Sequence, residues 1–121
     1  MTLASCVLFY SLLNGINPQL TESIIHIESG GNTFALGTRG DIGLMQIRHQ
    51  FVPETQLQLF NPCTNIRRGV KLLKEAKERC IHKLTYTWIV CYNLGIQGGK
   101  KVKHPKKFPY YLKVMSQLKK Q

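Results

Sequence analysis

IIHIESGG, residues 24–31, ends an apolar run on a carboxylate, and after a glycine-rich loop the chain continues as DIGLMQI, residues 41–47. The apolar residues recur at the spacing of one helix face. Glu28 projects from that apolar face, and the following Ser-Gly-Gly ends the helix. Burial beside aliphatic side chains and the negative end of the helix dipole both raise the pKa of such a carboxyl group.

A carboxylic acid that stays partly protonated near neutral pH is what general acid catalysis requires. This pattern therefore predicts a general acid at Glu28. The alternative from spacing alone is a surface glutamate near a helix end, and the pattern leaves it open.

The length of 121 residues predicts one domain, residues 1–121, large enough to bury a core. Seventeen Lys and Arg against six Asp and Glu give a net charge of +11, which indicates a polyanionic partner: nucleic acid, an anionic membrane or an acidic wall polymer. No apolar run has the length of a membrane span. Residues 3–13 are apolar, but no Lys or Arg precedes them, so we interpret them as a first helix and find no clear signal peptide.

The four cysteines are Cys6, Cys63, Cys80 and Cys91. No pair has CxxC spacing, so we expect neither a metal site nor a redox motif. An even number permits two disulfides in three connectivities, and four buried free thiols are the alternative.

Helix starts, helix stops and apolar spacing predict a mainly α, α+β fold: a compact helical domain with a glycine-rich loop and at most a small β-hairpin. We expect the inner stripe of the last helix to be Tyr111, Met115 and Leu118. The 100–107 segment, with five lysines, is expected to be an extended, solvated loop. The predicted helices are 3–13, 17–28, a short one within 48–60, 61–80, 85–94, and a last one from Pro109.

Several short motifs now resemble one known family, the lytic transglycosylase (SLT) domain of the goose-type lysozyme superfamily. They are ESG at 28–30, GLMQ at 43–46, NPCTNI at 61–66, YNLG at 92–95 and YLKV at 111–114. The resemblance covers about residues 15–118. Asp41 before GLMQI is similar to the compact enzymes of secretion and conjugation systems, and the size and charge are similar to phage wall enzymes.

The resemblance implies that the substrate is the glycan strand of peptidoglycan, cleaved between N-acetylmuramic acid and N-acetylglucosamine. Glu28 would act first as acid and then as base toward the sugar's C6 hydroxyl, which gives a 1,6-anhydromuramyl product. No cofactor, metal or nucleic acid is expected, and the protein is expected to be a monomer. Its expected place is the periplasm or cell-wall space, or a phage virion or lysis protein.

The same resemblance implies roles for residues around Glu28. Met45 and Tyr92 each have an alternative reading, core packing and a buried structural tyrosine. The implied substrate-binding residues are Ser29, Gly43, Met45, Gln46, Tyr92, Asn93 and Tyr111. It also implies a Cys6–Cys63 disulfide, whereas Cys80 has no implied role.

Asp41 is a possible auxiliary carboxylate with three roles: activating a water, raising the pKa of Glu28 by its charge, or binding loop amides, which we favour. The competing functions are a hydrolytic muramidase on the same fold and a non-enzymatic, basic nucleic-acid-binding module. The lysines of residues 100–107 would hold anionic wall polymer or would simply be solvated.

Overall fold

The computed structural model describes residues 1–121 and confirms the mainly α fold class, with six α-helices and one two-stranded antiparallel hairpin. The hairpin pairs Asp41 with Arg48 and Ile42 with Ile47. The elements are α1 (Leu3–Leu13), α2 (Pro18–Ser29), β1 (Asp41–Ile42), β2 (Ile47–Arg48), a 3₁₀ turn (His49–Phe51), α3 (Gln56–Leu59), α4 (Pro62–Arg79), α5 (Ile89–Lys100), a second 3₁₀ turn (Pro105–Lys107) and α6 (Pro109–Lys119).

Two Asn-Pro pairs set the starts of α2 and α4, as predicted. The side chains of Asn17 and Asn61 accept hydrogen bonds from backbone N–H groups in the first turn, and proline follows each cap. Gly30 ends α2 with a φ of 63°, a left-handed conformation that glycine adopts without strain. Glu28 therefore lies in the last turn of α2.

The core lies along α4, whose residues Ile66, Val70 and Leu73 are fully buried. α1 packs against α4 and α2, and α6 packs against α2. Disulfides join Cys6 to Cys63 and Cys80 to Cys91. The first fixes α1 to the start of α4, and the second joins the end of α4 to α5.

The prediction for α5 was wrong at its start. Residues 85–88 form turns, with Tyr86 at a φ of 58°, and Thr87 Oγ1 donates to the carbonyl of Leu84 at 2.7 Å. That side-chain bond gives the backbone an alternative to the helix, so α5 begins at Ile89. Gly95 breaks the helix as expected, but the chain re-enters a helical conformation up to Lys100.

The expected loop over residues 100–107 was also partly wrong, because Pro105–Lys107 forms a 3₁₀ turn. In α6 the inward side is one residue out of phase with the prediction: Tyr110 and Val114 are buried, while Tyr111 and Met115 are only partly so. No helix of the structure combines the length and the hydropathy that crossing a membrane requires.

Candidate active site

A cavity of about 750 Å³ forms an open cleft between α2, the hairpin, α4 and α5. Glu28 reaches it from the last turn of α2. Asp41 and Gln46 line it from the hairpin, and Tyr92 and Asn93 line it from the first turns of α5. Residues distant in sequence therefore meet in one cleft around a single buried glutamate.

The carboxyl group of Glu28 is largely buried, and burial raises its pKa from 4.5 to about 7. A hydrogen bond from Tyr110 lowers the pKa, and the charge of Asp41 raises it by a smaller amount. Burial prevails because little water reaches the carboxylate to stabilise its charge. Glu28 is thus present in both protonation states near neutral pH.

Tyr110 is the main site residue that the sequence reasoning missed. Its hydroxyl donates to Glu28 Oε2 at 3.0 Å from the first turn of α6. Burial and the neighbouring carboxylate raise the pKa of Tyr110 well above its usual value, so it stays a donor. Neither Tyr110 nor Tyr111, which the motif had suggested, lines the cleft, and only Tyr110 bonds to Glu28. The spacing of Tyr110 with Val114 equals that of Tyr111 with Met115, so the sequence alone does not decide between the two tyrosines.

Tyr92 is partly buried, and its enclosed hydroxyl donates to the backbone carbonyl of Met45 at 2.7 Å. Burial, with smaller contributions from the charges of Glu28 and Asp41, raises the pKa of Tyr92 well above its usual value. The residue lies close to both carboxylates, but its hydrogen bond holds the hairpin turn. This hydrogen bond agrees with the alternative interpretation of Tyr92 as a structural tyrosine.

Met45 does not line the cleft. Its side chain is fully buried, and a Cβ added at Gly69 would lie 2.3 Å from Met45 Sδ. The absence of a side chain at Gly69 therefore makes room for this methionine against α4. The placement corresponds to core packing, the alternative reading, and not to contact with substrate.

A fully buried amide, Asn65 of α4, organises the hairpin turn. Its Oδ1 accepts from the N–H of Met45, and its Nδ2 donates to the carbonyls of Ile42 and Leu59, each at 2.9 Å. Gly43 faces this amide, since a Cβ there would lie 2.4 Å from Asn65 Nδ2. The absence of a side chain at Gly43 thus makes room for packing against α4, and its contact with substrate stays a prediction.

Gln46 lines the cleft in a left-handed conformation, with a φ of 51°. Its Nε2 donates to the carbonyls of Ala35 and Gly43, at 3.2 and 3.1 Å. The amide thereby fixes the glycine-rich loop. A Cβ at Gly37 would lie 2.7 Å from both Gln46 Oε1 and Asp41 Oδ2, so this glycine lets the loop close over the hairpin.

Asp41 accepts a hydrogen bond from Arg48 Nε at 3.2 Å, across the hairpin. No backbone amide donates to its carboxylate, so the role we favoured from the sequence, bonding loop amides, was wrong. The charge of Asp41 does act on Glu28, in the direction that raises the pKa.

Ser29 does not line the cleft, and its Oγ donates to the carbonyl of Ile25 at 3.1 Å and accepts from the N–H of Gly31. It closes the end of α2. Asn93 lines the cleft and makes no side-chain hydrogen bond within the protein. Among the polar residues that the motifs identified, Asn93 is the one with its amide free for a ligand.

Cys91 also lines the cleft, directly before Tyr92, and its disulfide to Cys80 ties this turn of α5 to the end of α4. From the sequence alone this pairing was one of several possibilities. No three His, Cys, Asp or Glu side chains cluster in a way that would hold a metal ion.

Comparison with known proteins agrees with this geometry. Residues 5–112 match the protein family described as "Transglycosylase SLT domain". The chain is also similar to the "Type IV secretion system protein virB1" of Brucella abortus biovar 1 (strain 9-941), Brucella melitensis biotype 1 and Brucella suis biovar 1 (strain 1330). Each match is 26% identical and covers 57% of this chain. The chain spans 42% of the length of each of these relatives.

Proposed function

This chain belongs to the transglycosylase SLT domain family, and we propose that it is a lytic transglycosylase that cleaves peptidoglycan between N-acetylmuramic acid and N-acetylglucosamine. The observation that carries the proposal is the pKa of about 7 for Glu28 in the cleft. A group that must act first as acid and then as base works best when its pKa lies near the working pH.

In the first step Glu28 protonates the glycosidic oxygen while the bond from that oxygen to C1 breaks. Tyr110 donates to Oε2 of Glu28, so the proton to be transferred resides on Oε1, which has no partner within the protein. The same hydrogen bond holds the carboxyl group in one orientation. Proton transfer from a positioned acid contributes roughly 10²–10⁴-fold to the rate.

In the second step the C6 hydroxyl of the muramyl residue attacks its own C1. The proton of that hydroxyl returns to the carboxylate of Glu28, which restores the acid and leaves a 1,6-anhydromuramyl end. Because the nucleophile is part of the substrate, no second protein carboxylate is needed to activate it. The negative charge of Asp41 would stabilise the positive charge that develops on the sugar ring.

The remaining cleft residues support this sequence of steps. Asn93 would donate to the sugar or its acetamido group, since its amide is free. Gln46 would act by shaping the loop beside the sugar, because its Nε2 is already bonded to loop carbonyls. Tyr92 would keep the hairpin turn at a fixed distance from α5.

A hydrolytic muramidase is the second candidate, favoured by one observation: Asp41 lines the same cleft as Glu28. A hydrolase of the inverting type needs its second carboxylate to accept a proton from water. The bond from Arg48 Nε opposes that role, because it occupies one oxygen of the Asp41 carboxylate and holds the group against the hairpin. We therefore place Asp41 as an electrostatic group.

We further propose that the chain acts as one monomeric domain in the periplasm or cell-wall space. Its two disulfides fit an oxidising compartment. The name of the similar Brucella proteins supports a role in opening the wall for a secretion apparatus.

The test is mass spectrometry of muropeptides released from purified sacculi by the wild type and by two variants. We expect 1,6-anhydro products from the wild type, a loss of at least about 100-fold in Glu28→Gln, and the same products at a modestly lower rate in Asp41→Asn. Muramic acid with a reducing end, released by the wild type and lost in Asp41→Asn, would make the enzyme a hydrolase.

A further inference from the structure

A second cavity, of about 470 Å³, shares no lining residue with the active-site cleft. It lies between the segment before α5 and the segment after it, residues 81–87 and 103–107. Lysines and exposed aliphatic residues occur together there. We call Ile81, Leu84, Lys103, Lys106 and Lys107 the basic-apolar patch.

Hydrogen bonds hold the first of these segments in place. The Nε2–H of His82 donates to the carbonyl of Gly99 at 2.9 Å. The Nζ of Lys83 donates to the carbonyls of Lys77 and Glu78, at 3.3 and 2.8 Å, near the end of α4. The segment that carries Ile81 and Leu84 is therefore anchored to the ends of α4 and α5.

The lysines of the patch have no acidic partner. No Asp or Glu lines the cavity, and none of the three lysines takes part in an ion pair. The nearest acidic side chains along the sequence, Glu75 and Glu78, form pairs with Arg79 and Lys74 on their own helix. Three positive charges are thus free to bind a partner.

The two aliphatic residues of the basic-apolar patch distinguish between a membrane surface and a soluble polyanion as its partner. Ile81 is 60% exposed and Leu84 is 68% exposed, beside those unpaired amines. A soluble polyanion would contact the lysines alone and leave both aliphatic side chains in water. The boundary between lipid headgroups and acyl chains contacts both kinds of side chain, since it offers phosphate beside hydrocarbon.

We propose that the basic-apolar patch binds the surface of an anionic phospholipid membrane. The amines of its three lysines contact lipid phosphates, and Ile81 and Leu84 enter the boundary of the acyl chains. The chain would then work on the wall while it is held at the membrane surface. In such binding, electrostatic attraction and the insertion of apolar side chains each contribute weakly, and together they hold a protein at the membrane.

The test is co-sedimentation of the full chain with vesicles of phosphatidylcholine, with or without phosphatidylglycerol. One variant carries Lys→Gln at all three patch lysines, and another carries Ile81→Ser with Leu84→Ser. Each lysine at an anionic surface contributes about fivefold to partitioning, so the first variant should lose about 100-fold. The matched control replaces three exposed lysines of α6 and its end, Lys113, Lys119 and Lys120, and should lose much less.

Binding of the wild type should require phosphatidylglycerol and weaken as salt is raised. The serine variant should bind the anionic vesicles several-fold more weakly but keep the salt dependence of the wild type. Circular dichroism checks that every variant is folded.

Three results would overturn the proposal. Equal losses in the patch and control lysine variants would mean that only net charge matters. Unchanged vesicle binding in the serine variant would remove the apolar contribution. If the lysine variant lost binding to sacculi or to duplex DNA and kept its binding to vesicles, the partner would be wall polymer or nucleic acid.

Discussion

Replacing Glu28 by glutamine should stabilise the protein at alkaline pH while it abolishes the proposed activity. In the folded protein the pKa of Glu28 is about 7, against 4.5 in the absence of the fold. Because the pKa is higher in the folded protein, the free energy of unfolding has its full contribution from the protonated Glu28 below about pH 4.5. This contribution is lost progressively as the pH rises to 7 and beyond.

The difference between these two pKa values corresponds to about 3 kcal/mol, since one pH unit is worth about 1.4 kcal/mol. Above pH 7 the wild type must keep a charged carboxylate in a largely buried site, whereas glutamine carries no charge at any pH. Glutamine also keeps an oxygen that can accept the hydrogen bond from Tyr110. The variant should therefore gain about 3 kcal/mol over the wild type between pH 4 and pH 9.

Urea unfolding of both proteins at several pH values measures this difference directly and needs no substrate. The control is Glu22→Gln, which removes an exposed carboxylate from the same helix and should change stability little across the range. An advantage of Glu28→Gln that stays constant from pH 4 to pH 9 would refute burial as the cause of the raised pKa. It would also remove the main support for Glu28 as the acid.

Two further predictions concern the surroundings of Glu28. In sacculus digestion, kcat/KM should fall above about pH 7 as Glu28 loses its proton. This fall should move to higher pH in Tyr110→Phe, which removes the hydrogen bond that lowers the pKa of Glu28, and to lower pH in Asp41→Asn, which removes a charge that raises that pKa. If neither variant moved the fall in kcat/KM, a group other than Glu28 would be responsible for it. Replacing both Cys80 and Cys91 by alanine should lower the free energy of unfolding by about 3 kcal/mol for an 11-residue separation and should also reduce kcat, as urea titration and product release measure; full activity would mean that the disulfide does not position α5.

Much of the fold could be predicted from local signals. The caps Asn17 and Asn61 and the glycine after α2 each act within one helix turn, so their effect is visible in the sequence. The start of α5 could not be predicted from its apolar pattern. A side-chain bond of Thr87 competes there with the helix, and apolar spacing does not register it.

The site was harder to predict than the fold, because several residues of the motifs hold the fold together and do not face the cleft. The position of Glu28 could be predicted from the apolar helix face on which it lies and from the glycines that end the helix after it. Those of Met45 and Gly43 could not, because their partners Gly69 and Asn65 lie on a helix that only tertiary packing brings near. Tyr110 was missed for the opposite reason: two adjacent tyrosines compete for one inward position, and only the packing of α6 on α2 decides between them.

The amide of Asn65 has a consequence for the order in which the molecule assembles. Each strand of the hairpin is two residues long, too short to persist by its own backbone bonds. Two of the hydrogen bonds that hold its turn come from one side chain of α4, that of Asn65, which also donates to the carbonyl of Leu59 at the end of α3. The wall of the cleft thus forms only once that helix has docked, and it is among the first parts to open when the helix loosens. The protein would lose its chemistry before it loses its core.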